Sequence, residues 1–295
     1  MECLEFAVDG GALRALRWGH GAQICVALHG ITANASSWAS VAEALPTEWS
    51  LVALDQRGRG HSRDLPAPYD GEQLARDARA VIEATGARVL AGHSMGAYVA
   101  MGVERDFPGL CERLVLIDGG LALPVPAGVD VEEVLAATLG PALDRLRETY
   151  PDEDTYVDFF RVHPAMGPYW SPAIDAYARY DALSCEGGVR SRAVEDAVRV
   201  SGRELIVRGQ EIEDAIRGLS VPARLLCAER GMLDQPGGLL PTDVVQASDA
   251  VQPQLEVIEV PDTNHYTIIF EPAAAAVVAR AIVDPQADIL ENVER

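Results

Sequence analysis

The sequence predicts an α/β fold, a mostly parallel and doubly wound sheet interrupted by one long helical insertion. Three observations carry this expectation. Short apolar runs alternate with stretches of helical composition near both ends of the chain, the pattern of a parallel sheet covered on both faces. Between residues 118 and 221 the alternation stops, and helix formers broken by seven prolines take its place. The apolar run 89–91 leads straight into Gly92-His93-Ser94-Met95-Gly96, after which 97–107 has helical composition up to Pro108.

Each element has its own signal. Residues 4–8 and 12–18 flank Asp9-Gly10-Gly11, a β-hairpin that places an antiparallel strand at a sheet edge. Residues 23–28 and 49–55 read as strands, with a helix around 37–45 between them. A helix over 74–84 precedes the strand at 89–91, and 113–118 is an apolar strand ending in Asp118. Strands at 224–228 and 255–260 complete the sheet, an Ala-rich helix covers 272–283, and 284–295 reads as a polar tail. This divides the chain into a core of 1–121 with 219–295 and a helical cap of 122–218. Residues 150–180 carry eight of the chain's seventeen aromatics, a grouping that suits an apolar ceiling over a pocket.

Composition excludes several classes of function. Of the 295 residues, 48% are hydrophobic, enough for a sizeable core. Asp plus Glu number 45 against 24 Lys plus Arg, a net charge of −21. Such an acidic surface argues against binding a nucleic-acid backbone or anionic lipid. The five cysteines lie far apart, without the spacing of a disulfide framework or a zinc site. No Walker loop, Gly-x-Gly-x-x-Gly or metal-ligand spacing occurs, so no cofactor or metal is expected. Residues 1–18 lack a signal-peptide pattern and no apolar run reaches membrane-spanning length, which makes a reducing cytoplasm the expected compartment.

Residues 92–96 fit Gly-x-Ser-x-Gly, the nucleophile elbow, in which serine sits on a sharp strand-to-helix turn. Side chains at either glycine would clash with neighbouring backbone while the serine holds a strained conformation. A serine hydroxyl is a weak nucleophile at neutral pH. It needs an imidazole to take its proton and a carboxylate to hold that imidazole. Ser94 is therefore the expected nucleophile.

With three further segments, the chain resembles the α/β-hydrolase family over most of its length. Cys25-Val26-Ala27-Leu28-His29-Gly30-Ile31 is similar to the family's strand ending in His-Gly. Asp55-Gln56-Arg57-Gly58-Arg59-Gly60-His61-Ser62 resembles its Asp-x-Arg-Gly-x-Gly-x-Ser turn. Asn264-His265-Tyr266 follows the last strand, where the family keeps its catalytic histidine. The resemblance implies a fold of the α/β-hydrolase type with an inserted cap. It also implies His265 as general base and an oxyanion hole built from the backbone N–H groups of Ile31 and Met95. His29 and His93 belong to their motifs and are expected to bond loop backbone. The resemblance offers two places for the acid. Asp118, directly after the strand that follows the nucleophile, is favoured over Asp234 in the loop after the penultimate strand, with Glu229 third.

These readings lead to a cofactor-independent serine hydrolase of carboxylesterase or lactonase type. It would cleave an ester, lactone or thioester of a fairly bulky apolar small molecule through an acyl-enzyme on Ser94. Serine at the elbow argues against a resemblance to epoxide hydrolases and haloalkane dehalogenases, which carry aspartate there. Two alternatives remain open on the same scaffold. One is lyase or cofactor-free oxygenase chemistry by proton abstraction; the other is a non-catalytic ligand receptor.

Overall fold

A computed structural model describes residues 1–125, 128 and 130–284; the expected polar tail over 285–295 lies outside them. The hairpin at the N-terminus forms as expected, with β1 (Glu2–Val8) and β2 (Gly11–Trp18) pairing antiparallel across Asp9-Gly10. The chain then alternates through β3 (Gln23–Leu28), α1 (Ala39–Ala44), β4 (Trp49–Leu54), α2 (Gly71–Thr85), β5 (Val89–His93), α3 (Met95–Asp106) and β6 (Arg113–Ile117). An insertion follows, made of α4 (Val131–Arg147), α5 (Glu153–Arg161), α6 (Pro172–Asp181), β7 (Ala182–Cys185), β8 (Gly188–Ser191), α7 (Glu195–Val207) and α8 (Gly209–Arg217). The sheet resumes with β9 (Ala223–Arg230), α9 (Thr242–Val251), β10 (Leu255–Asn264), α10 (Thr267–Phe270) and α11 (Pro272–Val283).

The main sheet has eight strands in the order β1-β2-β4-β3-β5-β6-β9-β10, antiparallel only at the β1–β2 and β2–β4 contacts. Successive residues of its central strands serve opposite faces. Cys25, Ala27, Leu51, Ala53, Val89 and Ala91 pack on the side of α1 and α11. Val26, Leu28, Val52, Leu54 and Leu90 pack on the side of α2 and α3. Burial on both faces explains why these strands read as unbroken apolar runs rather than alternating ones. The carboxyl ends of β3, β5 and β6 lie side by side, where open α/β sheets gather their functional groups. Among the described residues no helix is long and apolar enough to cross a membrane.

The insertion differs from the helical segment expected, because α6 runs into a two-stranded hairpin. Its turn is Glu186-Gly187, with Gly187 at φ 86°. Two strands of four residues each are too short to stand out between helices. The aromatics also do something other than expected. Tyr156, Phe160 and Tyr177 meet edge-on at 5.6 and 5.8 Å between ring centres, in a cluster that runs on through Phe270 of α10, 5.2 Å from Tyr177, into the core on the α1 and α11 side. Within that cluster Arg145 of α4 pairs with Asp181 at 2.5 Å, and Tyr156 and Ser191 also donate to that carboxylate.

Candidate active site

Ser94 joins β5 to α3 with φ 55° and ψ −123°, a conformation that non-glycine residues rarely adopt. Its N–H donates to Ile117 O on β6 at 2.8 Å, and its own carbonyl accepts the Ala97 N–H that starts the helix. The flanking glycines are required by contact. A Cβ on Gly92 would lie 2.2 Å from Gly96 O, and one on Gly96 would lie 2.1 Å from Leu28 O. The turn is therefore closed tightly against the end of β3, and Ser94 Oγ stands free of it.

His265 lies one residue beyond β10, and its Nε2 is 3.1 Å from Ser94 Oγ. Its Nδ1 is 2.6 Å from Asp118 Oδ2. Asp118 is fully buried just past β6, in the left-handed region at φ 45°. Its N–H donates to Leu226 O at 2.8 Å, and its Oδ1 accepts the Ala228 N–H at 3.2 Å. The carboxylate is thus fixed between neighbouring strands with one oxygen aimed at the imidazole. A hydroxyl, an imidazole and a carboxylate bonded in that order can move the hydroxyl proton to the ring and hold the resulting cation.

The alternative acids sit elsewhere. Asp234 accepts from Arg230 Nε at 2.7 Å, Asn264 Nδ2 at 2.9 Å and Tyr169 OH at 3.2 Å. Burial opposes its ionisation, but these three donors outweigh that and hold the carboxyl below its usual range. Glu229 accepts the Asp262 N–H at 2.8 Å, in the exposed rim of β10. Among the described residues Asp234 reaches the histidine loop through Asn264, whose role the sequence reading missed. Asn264 Oδ1 accepts the N–H groups of Tyr266 and Thr267, both at 2.9 Å, and this fixes the turn that carries His265. The one available signal was an asparagine directly before the histidine.

Ile31 follows the end of β3 and Met95 heads α3, both beside Ser94. Neither backbone N–H donates to a protein acceptor among the described residues. His29 orients the first of them. Its ring bonds Gly30 O at 2.7 Å through Nδ1 and accepts the Gln56 N–H at 3.1 Å through Nε2. Those partners require the Nδ1–H tautomer, and burial lowers the His29 pKa to about 3, so the ring is neutral. His93 bonds the His265 carbonyl at 2.8 Å, and burial also drives its pKa well below the usual value. Both rings bond loop backbone, as expected.

A cavity of about 50 Å³ opens over Ser94. Leu139 and Ala142 of α4, Tyr177 of α6, Met232, Tyr266 and Ile269 supply much of its wall. Of the aromatics in 150–180, Tyr177 alone is part of this lining, so the group does not form the expected ceiling. The cavity is also small for the bulky apolar group expected, since sites for drug-sized ligands typically measure 300–1,000 Å³. The other aromatics pack instead into the cluster that joins the insertion to the core on the α1 and α11 side.

Residues 25–281 match the alpha/beta hydrolase family. Over 241 residues the chain is 30% identical to N-formylmaleamate deformylase of Pseudomonas putida, covering 77% of this chain and 86% of that protein. It is 26% identical over 250 residues to 2-(acetamidomethylene)succinate hydrolase of Mesorhizobium japonicum, covering 81% and 80%. Among solved structures, E-2-(acetamidomethylene)succinate hydrolase superposes with a TM-score of 0.75 at 22% identity, over 96% of this chain and 100% of that one, a likeness of fold. The named relatives are hydrolases, and the sheet order, the elbow and the match over most of the sequence agree: the chain belongs to the alpha/beta hydrolase family.

Proposed function

We propose that the protein is a cofactor-independent serine hydrolase with Ser94 as nucleophile, His265 as general base, and Asp118 as the acid that orients His265. The N–H groups of Ile31 and Met95 form its oxyanion hole, and residues 122–218 act as its cap. The observation that carries the reading is the bonded chain Ser94–His265–Asp118, at 3.1 and 2.6 Å, with Ser94 held on a strained turn. Ser94 Oγ attacks the substrate carbonyl carbon as His265 Nε2 takes its proton, and the carbonyl π electrons move onto the oxygen facing the two amides. Collapse expels the leaving group with the proton from His265. Water then repeats the sequence and frees the acid. The positive end of α3 favours the oxyanion as well.

The small cavity supports a compact acyl group in place of the bulky one, in an ester, lactone or thioester. A second reading, cleavage of an N-acyl bond, is favoured by the relatives, whose names carry an N-formyl and an acetamido group. The test compares wild type with Ser94→Ala on p-nitrophenyl acetate and octanoate, and on N-formyl and N-acetyl amides of small acids. Hydrolysis of the short-chain substrates, absent in Ser94→Ala, with the acyl group trapped on Ser94 by mass spectrometry, is the expected result. Turnover without a trapped acyl group on any substrate would shift the assignment to proton abstraction.

A further inference from the structure

Two arginines in the turn after β4 are buried, and they differ in one respect. Arg57 forms an ion pair with Asp77 at 2.8 Å. Arg59, 0% exposed, forms none among the described residues. Its guanidinium is held by neutral acceptors: Ile31 O through Nε at 3.1 Å, Arg57 O at 3.0 Å, and Ala197 O and Ser201 Oγ both at 3.0 Å, with Met95 Sδ at 3.6 Å. Burial lowers its pKa to about 9, which leaves it charged at neutral pH. A buried cation without a counter-ion is costly, and proteins normally pair it. Two of its partners, Ile31 and Met95, are the residues whose N–H groups are assigned above to the oxyanion hole, and two others, Ala197 and Ser201 on α7, tie it to the insertion.

We propose that Arg59 is a positioning residue of the oxyanion hole, fixing the Ile31 loop and the Met95 side chain and placing an unneutralised positive charge behind the two amides. This rests on the serine-hydrolase reading. The absent counter-ion carries the idea. In a low-dielectric interior a cation's field reaches the forming oxyanion, and an adjacent carboxylate would cancel it. Because the charge is fixed before reaction, it needs no reorganisation as negative charge develops.

The test adds the missing counter-ion. Ser201→Asp puts a carboxylate at a position already bonded to Arg59, with Ser201→Asn as the uncharged control. Methylboronic acid, small enough for the cavity, is the probe: Ser94 Oγ adds to boron, its proton passes to His265, and the adduct is a tetrahedral anion in place of the oxyanion. Ser201→Asp should bind it about tenfold or more weakly than Ser201→Asn, with a melting temperature equal to or above the control. A purely structural Arg59 predicts the opposite, since an added ion pair would tighten its hold. Affinities within about twofold of each other overturn the proposal. Arg59→Lys, which keeps the charge, should bind within about threefold of wild type, and a loss as large as that of Arg59→Met also overturns it. A wild type that binds no boronate, or a Ser94→Ala variant that binds it as wild type does, removes the serine reading itself and the role of Arg59 with it. Loss of binding in Ser94→Ala with no effect at Ser201 removes the role of Arg59 alone.

Discussion

At the residue scale, the site depends on two side chains held at positive φ, Ser94 at 55° and Asp118 at 45°. Such strain persists only where surrounding contacts over-determine it, and here strand neighbours bond the backbone N–H of each. Ser94→Ala and His265→Ala should each remove hydrolysis while leaving the melting temperature near wild type. Asp118→Asn should lower kcat by roughly 10³–10⁴-fold, because the amide cannot hold the same histidine tautomer. Asp234→Asn should act on stability instead, costing about 1 kcal/mol through its partly exposed pairing with Arg230, with kcat little changed. Side-by-side kinetics and thermal melts of the two variants test the choice of acid, and the reverse ranking would sink it. Gly96→Ala should destabilise the fold by about 1–3 kcal/mol or more, since the added methyl meets Leu28 O at 2.1 Å.

At the scale of elements, the strands of the core were legible and the interior of the insertion was not. Residues 23–28 and 113–117 stand out because burial on both faces demands continuous apolar sequence. The hairpin Ala182–Cys185 with Gly188–Ser191 escaped notice, although Gly187-Gly188 is a turn signal, because its strands lack such a run. The Arg145–Asp181 pair was likewise hidden, since its partners lie on different elements 36 residues apart. Both side chains are almost wholly buried. Arg145→Met alone should destabilise the protein by about 3–5 kcal/mol by stranding the carboxylate, and the double variant Arg145→Met/Asp181→Leu should recover most of that loss. Chemical denaturation of the single and double variants measures the difference directly.

At the scale of the whole molecule, the insertion is joined to the core through buried polar contacts as well as apolar ones. Asp55, at the end of β4, accepts the N–H groups of Ala35 and His61, both at 2.8 Å, and the Tyr180 hydroxyl of α6 at 2.7 Å. Burial raises its carboxyl pKa from 3.8 to about 6. The folded protein therefore holds this proton in a range where the unfolded chain has released it, so stability falls as pH rises from about 4 to about 6. A shift of that size corresponds to about 3 kcal/mol across the window. Asp55→Asn cannot titrate. The stability of wild type relative to this variant should decline between those pH values, and a constant difference would rule the effect out.

The sequence by itself determined the order of core strands and helices, the place of the insertion, the elbow around Ser94 and the histidine after the last strand. Each of these is a local constraint: two-sided burial writes an apolar run, and a turn closed at 2.1–2.2 Å admits only glycine. The tertiary structure decided what depends on meetings across the chain. Asp118 and His265 are 147 residues apart, and only the neighbouring positions of β6, β9 and β10 make one carboxylate reach the imidazole while Asp234 turns to Arg230 and Asn264. The aromatics of 150–180 looked like a pocket wall because composition reports that a group must be buried, not what it is buried against. Packing turned most of them inward, and Leu139, Ala142 and Met232 became part of the wall around the serine.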